Sequence, residues 1–207
     1  LMIKNYFKTA FRNLLRNKTY AAINITGLAV GIAACLLIFL VIQYETSFDT
    51  FHKKKDHIYR VVSEFKSPDG THHSSGVPFP VAEALRIDFP QLKKVAAIFN
   101  SNRLITIPQE DKNQPAKKFK GAGVFFAEPQ FFEMFDFEWM GGDAKQTLTA
   151  PNSAVLTKET AERYFGDWKN AVGKSLRFDN RYTFKITGIL QNVPTNTDFP
   201  LSMVVSY

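Results

Sequence analysis

The chain has 207 residues, 45% hydrophobic and 22% charged, so its composition is that of a folded protein and excludes a disordered chain. Its net charge is +7, but the first 18 residues hold five basic side chains and no acidic one, so the charge excess is local and does not indicate nucleic-acid binding. The single cysteine, Cys35, excludes an intramolecular disulfide and a cysteine cluster for zinc or for iron and sulfur.

Residues 3–18 are predicted to form an amphipathic helix. Such a helix lies on a membrane surface, with its basic stripe against anionic headgroups. The apolar positions are Ile3, Phe7, Phe11, Leu14 and Leu15, and the basic positions are Lys4, Lys8, Arg12 and Arg16, both at helical spacing.

Residues 19–44 contain no Asp, Glu, Lys, Arg or His and are predicted to cross a membrane as a helix. At 1.5 Å per residue, a run of about 25 residues reaches roughly 38 Å, which exceeds the ~30 Å hydrocarbon core. Gly27 and Gly31 form a G-x-x-x-G pair, which favours close packing of a second helix on this face. The alternative is that glycine is simply common in membrane helices.

The distribution of basic residues predicts the orientation of this helix. Five precede it and only Lys53, Lys54 and Lys55 follow it closely, so the positive-inside rule places the N-terminus in the cytoplasm. A secretory signal peptide is the main alternative, but its apolar region has ~7 to 15 residues and ends in a small-residue cleavage site. This run is longer and is followed by Glu45 and Thr46, so a retained anchor is predicted.

Residues 45–207 are predicted to form one mixed α+β domain, because strands and a few short helices follow each other without regular alternation. Helices are predicted at 80–89 and 128–135 and between Thr157 and Gly166. A loop is predicted at 108–118. Strands are predicted at 57–65, 94–99, 103–107, 119–125, 152–156, 175–178 and 182–190, with a last one from Leu201.

No motif in the chain indicates catalysis. A G-x-x-x-x-G-K-[ST] phosphate loop, a G-x-S-x-G elbow and an H-E-x-x-H helix are all absent, so the chain itself is not an ATPase. His72 and His73 lie beside a turn, and His52 and His57 are five residues apart, so hydrogen bonding is favoured over metal ligation. We expect no catalytic residue, no metal and no cofactor.

Aromatic residues are dense between Phe125 and Trp139. Core packing is the favoured interpretation, because a buried Phe contributes ~1.5–3 kcal/mol and the chain has no disulfide to add stability. A partner surface or a substrate passage is the alternative.

The stretch YETSFDTFHKKKDHIYRV, directly after the predicted membrane helix, resembles the start of the outer domain in MacB-like, FtsX-related permeases of ABC transporters. The similarity extends over nearly the whole chain in the same order. Thr197 departs from the pattern, since the family often has Ser there, and the run 53–55 is unusually basic. The matching residues after the helix are Tyr44, Glu45, Phe48, Asp49, Phe51, His52, Ile58, Tyr59 and Arg60, and later matches include Phe131, Phe132, Phe135, Asp136, Gly142, Asp143, Tyr164, Gly166, Gly188 and Pro194.

This resemblance implies a permease component in a bacterial inner membrane, with a MacB-like periplasmic core domain over 45–207 that is incomplete at its C-terminal end. Such permeases have four or more membrane helices, so we expect this chain to be a fragment. The implied partners are the membrane, an ABC ATPase, a second permease copy and a periplasmic adaptor, but no nucleic acid. The implied activity is ATPase-driven export or mechanotransmission.

Two other functions remain open from the residues alone. One membrane helix and one outer domain also suit a single-span sensor or ligand-binding protein, which is the second hypothesis. A tethered periplasmic hydrolase is disfavoured, because no nucleophile constellation is present.

Overall fold

The structure is a computed structural model that describes residues 2–109 and 115–207. The chain divides into two compact units, Leu1–Phe48 and Asp49–Tyr207.

The first unit consists of two helices, α1 (Met2–Arg16) and α2 (Lys18–Thr46). Helix α2 has a mean hydropathy of 2.8 over its most apolar stretch and, within the described residues, is the one helix long and apolar enough to cross a membrane. It extends two residues beyond the predicted end. Thr46 and Ser47 donate side-chain hydrogen bonds to the carbonyls of Ile42 and Tyr44, which satisfies acceptors of the last turn.

The second unit is built on a mixed nine-stranded sheet with the order β3-β6-β11-β8-β10-β9-β4-β5, and β7 pairs with β10. Strands β1 and β2 form a separate antiparallel hairpin. The α+β prediction is confirmed. The strands are β1 (Ser63–Ser67), β2 (Gly70–Ser74), β3 (Ile98–Asn100), β4 (Arg103–Ile107), β5 (Lys117–Gly121), β6 (Val124–Ala127), β7 (Trp139–Gly141), β8 (Ser153–Thr157), β9 (Ser175–Phe178), β10 (Tyr182–Leu190) and β11 (Met203–Ser206).

Strand β8 organises the core. All five of its residues are buried, and it pairs parallel with β10 and antiparallel with β11. Successive side chains of a strand point to opposite faces of the sheet. Accordingly, Ala154 and Leu156 belong to one apolar cluster and Val155 to another, so the sheet carries a core on each face.

Three helices accompany the sheet: α3 (Val81–Asp88), α4 (Phe131–Met134) and α5 (Lys158–Phe165). Short 3₁₀ turns occur at Lys55–His57 and Trp168–Asn170. The Thr157 hydroxyl caps α5 by accepting the Thr160 N–H, and Gly166 ends the helix with a φ of 84°. Both ends of α5 match the sequence prediction.

Several predicted strands have different bounds. The strand predicted at 57–65 begins only at Ser63, where pairing with Ser74 starts, and the one predicted at 94–99 is reduced to β3. The predicted bounds of the loop at 108–118 and of the strand at 119–125 are wrong. In place of one strand the chain forms two, β5 and β6, with Gly123 between them, and β5 already begins at Lys117. Residues 110–114 of that predicted loop lie outside the described residues.

The bend between β5 and β6 requires glycine. Gly123 has a φ of 67°, and a Cβ atom built there lies 2.3 Å from the Pro200 carbonyl oxygen. Gly123 also accepts the Ser202 N–H at 2.8 Å, which ties the bend to the start of β11.

We expect Gly123→Ala to lower the free energy of unfolding by about 4 kcal/mol, because the backbone of 200–202 must move. Gly173→Ala is the matched control, since Gly173 has a φ of 89° but open space around its Cβ position. It should cost only the ~1–2 kcal/mol of left-handed strain. Urea unfolding of the detergent-solubilised chain, followed by tryptophan fluorescence, measures both, and equal losses would contradict the steric argument.

Candidate functional site: the clasp segment

Residues 49–54, named here the clasp segment, begin the second unit three residues after helix α2 ends. The first anchor of this segment is Asp49. Its N–H donates to the Asn196 carbonyl at 3.1 Å, and its carboxylate accepts the Thr197 hydroxyl and, at 3.1 Å, the Asp198 N–H. Charge-assisted hydrogen bonds of this kind are about twice as strong as neutral ones. Asp49 also adopts a left-handed φ of 53°, which Asp tolerates better than most residues.

The second anchor is a reciprocal pair of hydrogen bonds between residues 52 and 53 and Asp136. The Asp136 N–H donates to His52 Nδ1 at 3.0 Å, and the Lys53 N–H donates to Asp136 Oδ2 at 2.7 Å. Lys54 adds a third contact, since its Nζ donates to the Glu133 carbonyl at 2.6 Å. The segment is therefore held at both ends by residues that lie about 80 to 150 positions later in the chain.

Aromatic rings surround the middle of the clasp segment. His52 is only 2% exposed, and its ring centroid lies 3.9 Å from Phe51, 5.2 Å from Phe135 and 5.3 Å from Phe137. Phe135 in turn contacts Phe199 at 4.7 Å. Phe135 belongs to the second core cluster, and Phe137 and Phe199 pack against it, so the rings around His52 are continuous with the hydrophobic core.

The hydrogen bonding of His52 defines its protonation. Because Nδ1 accepts the Asp136 N–H, the neutral ring carries its proton on Nε2. Nε2 is buried without a hydrogen-bond partner among the described residues, and its nearest charged atom is Asp49 Oδ1 at 3.9 Å. Burial lowers the pKa of His52 below 6.5, and the carboxylates of Asp49 and Asp136 partly oppose this shift.

The structure brings only part of the predicted motif into this site. Asp49 lies at its centre, whereas Tyr59 is 82% exposed and Arg60 is also exposed, and neither contacts the clasp segment through a hydrogen bond in the described residues. In the first unit, Tyr44 and Phe48 form an edge-to-face ring pair at 5.3 Å, and Glu45 is exposed near the end of α2.

The other predicted sites have simpler surroundings. Apart from neighbouring residues and the helix's own backbone, no atom of the described residues lies within 4 Å of a Cβ built at Gly27 or Gly31, so both present open surface. Within residues 2–109 and 115–207, no group of three or more His, Cys, Asp or Glu side chains could hold a metal ion. Core packing of the aromatic stretch is confirmed, since Phe125, Phe131, Phe132 and Phe135 are buried.

Sequence reasoning did not identify Asp136 and Thr197 as partners of the clasp segment. Asp136 belongs to a piece that matches the family pattern, whereas Thr197 departs from it, and no local signal links either residue to residues 49–53, which lie 83 or more positions away. Among the described residues, the site offers no nucleophile or acid–base pair directed at a cavity. Its arrangement can hold one chain segment firmly against two loops of the globular unit.

Comparisons with known proteins agree with this architecture. The profile of the MacB-like periplasmic core domain matches residues 21–206. No curated protein matches the chain. Among solved structures, a domain named as part of a permease protein from Porphyromonas gingivalis is similar over 70% of this chain and 60% of that chain, with 19% identity and a TM-score of 0.52.

A second solved structure, the periplasmic region of MacB from Actinobacillus actinomycetemcomitans, is similar over 61% of this chain and 54% of that chain, with 16% identity and a TM-score of 0.45. The chain thus spans less than two thirds of the length of either protein. At such identities, the likeness of the Porphyromonas gingivalis domain shows the fold.

The lowered pKa of His52 predicts a pH-dependent stability. In the unfolded chain this histidine takes up a proton near pH 6.5, whereas the folded state resists protonation. The free energy of unfolding should therefore fall as the pH drops below about 6.5, until the folded-state pKa is reached. His52→Asn keeps an acceptor oxygen near the position of Nδ1 but does not titrate, so its stability should lack this loss.

Urea unfolding from pH 8 to pH 5 measures this effect as the difference between the unmodified protein and the variant. His57→Asn is the control, because His57 is exposed and should leave the profile unchanged. A difference between the unmodified chain and His52→Asn that does not vary with pH would contradict the assignment.

Proposed function

Because the chain belongs to the family with a MacB-like periplasmic core domain, we propose that it is a permease component of an ABC transporter in a bacterial inner membrane. Residues 3–18 lie on the cytoplasmic surface, 19–44 cross the membrane and 45–207 form the periplasmic domain. The chain has no phosphate-binding loop, so the energy comes from an ATPase partner. ATP binding shifts the membrane helices of two permease copies, and the periplasmic domains act on substrate or on an adaptor.

The clasp segment is the observation that carries this proposal. A domain that transmits movement needs a stiff link to its membrane helix, because a flexible linker would absorb the displacement. Only residues 47 and 48 separate α2 from Asp49, and residues 49–54 are held by hydrogen bonds and buried rings. A displacement of the helix end therefore passes to two loops of the domain.

A single-span sensor or ligand-binding protein is the second candidate. It fits the same membrane helix and outer domain but requires neither an ATPase nor a second copy. Purification from the native membrane distinguishes the two, because a permease should copurify with an ATPase subunit and a sensor should not.

The proposed orientation predicts the labelling of single cysteines. In a Cys35→Ser background, His73→Cys in the exposed hairpin should react with a membrane-impermeant maleimide in intact spheroplasts. Asn13→Cys in α1 should react only after lysis. The reverse pattern would place the domain in the cytoplasm and overturn the proposal.

The coupling role predicts that weakening the Asp49 anchor uncouples the domain. Asp49→Asn removes the negative charge of the carboxylate that accepts two hydrogen bonds. A hydrogen bond to a charged group contributes about 1.5–3 kcal/mol to stability, so the anchor is weakened. In the reconstituted transporter, spin labels at Ser74→Cys on two copies should change their separation on ATP binding. This change should be reduced in Asp49→Asn while ATP hydrolysis persists.

Asp56→Asn is the control for this experiment, because Asp56 is an exposed carboxylate two residues beyond the clasp segment. It should behave as the unmodified protein does. If Asp49→Asn and Asp56→Asn give the same ATP-dependent distances, the clasp segment does not transmit the movement.

The glycine pair predicts a helix–helix contact between copies. Gly31→Leu should abolish transport with unchanged expression, because a bulky side chain prevents close approach of the helices. Ala29→Leu is the matched control, since residue 29 lies on the opposite face of the helix. Transport assays in proteoliposomes measure both, and unimpaired transport by Gly31→Leu would show that this face is not an interface.

A further inference from the structure

His52 is a buried titratable side chain whose contacts depend on its protonation. A ring nitrogen accepts a hydrogen bond only when it carries no proton, so the 3.0 Å contact from the Asp136 N–H requires a bare Nδ1. The Lys53 N–H donates to Asp136 Oδ2, so residues 52 and 53 are both hydrogen-bonded to Asp136. Protonation at Nδ1 would place two donors, Nδ1–H and the Asp136 N–H, face to face.

The surroundings of His52 favour two different states. Burial among Phe51, Phe135 and Phe137 disfavours the charged ring, whereas the neighbouring carboxylates attract it. The proton on Nε2 is buried and has no acceptor at hydrogen-bond distance among the described residues. The distance from Nε2 to Asp49 Oδ1 is 3.9 Å. Charged groups lie on every element packed around the ring. They are Asp49, Lys53 and Lys54 in the clasp segment, Glu133 in α4, Asp136 and Glu138 in the segment after α4, and Asp198 beside Thr197.

We propose that His52 is a proton-operated latch, meaning that the neutral ring holds residues 52 and 53 to Asp136 and that a proton on Nδ1 releases them. The proton comes from solvent and stays on the ring, and no other bond is made or broken covalently. The imidazolium then turns toward the carboxylate of Asp49, whose Oδ1 lies 3.9 Å from Nε2 and offers an acceptor.

The two anchors of the clasp segment respond differently to this proton. The Asp49 anchor uses the Thr197 hydroxyl and the Asp198 N–H and contains no histidine. It therefore stays closed when the latch opens, and the segment keeps the Asp49 anchor and the Lys54 contact with Glu133 while it loses the Asp136 anchor. The effect of this change on transmission to the domain rests on the proposed function, whereas the latch itself is a property of the folded chain.

Amide hydrogen exchange of the full chain in lipid nanodiscs, resolved by NMR, tests the latch directly. Protection factors, corrected for intrinsic exchange at each pH, are measured for Asp136, Lys53 and Asp198 between pH 7.5 and pH 5. The protection factors of Asp136 and Lys53 should decrease as the pH is lowered. The largest possible decrease is a factor of 10 to the power ΔpKa, where ΔpKa is the pKa of His52 in the open state minus its pKa in the closed state. Protection of Asp198 should stay constant.

The variant His52→Asn should remove the pH response of the Asp136 and Lys53 amides, and His57→Asn should leave it intact. If His52→Asn does not fold, the ring nitrogen chemical shifts of the unmodified protein decide, because the latch requires an unprotonated Nδ1 at pH 7.5. Protection independent of pH, a pH response that persists in His52→Asn, or a proton on Nδ1 at pH 7.5 would each overturn the latch. None of these readouts involves an ATPase, so the latch and the proposed function fail separately.

Discussion

The structure of the second unit depends on the attachment of its first residues to loops that lie far along the chain. Asp49 is hydrogen-bonded to residues 196–198, and residues 52 and 53 are hydrogen-bonded to Asp136. Between these anchors, His52 and its neighbouring rings merge with the second core cluster. The domain is thus closed around its own N-terminal segment, and the segment is part of the core rather than a linker to it.

The hydrophobic contacts around the clasp segment are made mainly by phenylalanine rings. Phe131 lies 5.2 Å from Phe132, 5.0 Å from Phe135 and 5.8 Å from Phe199, so rings from α4 and from the loop before β11 form one assembly. Such ring pairs add about 0.5–1.5 kcal/mol each beyond the area they bury. In a chain whose only cysteine is Cys35, these contacts provide the stability that small outer domains often take from disulfides.

The sequence predicts those elements whose signals are local. Strand β4, strand β10 and helix α5 appear as predicted, because each has a clear period and identifiable ends, such as the Thr157 cap. Short strands with weak patterns were harder to predict: β7 has three residues and forms only against β10. The apparent strand at 57–65 illustrates the opposite error, since its β-branched residues suit a strand but only Ser63 onwards finds a partner.

The candidate site shows the same division. The motif identifies Asp49 and His52, but nothing near them in sequence predicts that Asp136 and Thr197 complete the hydrogen bonds. These partners are set by the topology, because β11 returns beside β8 and β6 and thereby places the loop at 196–199 next to α4. Pairings of this sort arise only once the sheet has formed.

The number of anchors determines how the clasp segment can carry force. Two charged hydrogen bonds to Asp49, at about 1.5–3 kcal/mol each, lie in parallel with the contacts of Lys53, Lys54 and the His52 ring. Because these bonds hold the same short segment, all of them must break before the segment detaches from the rest of the domain. Opening the contacts of His52 alone leaves the Asp49 bonds and the Lys54 contact with Glu133 in place. In the proposed latch, one proton on His52 therefore removes one anchor of the clasp segment and leaves the Asp49 anchor in place.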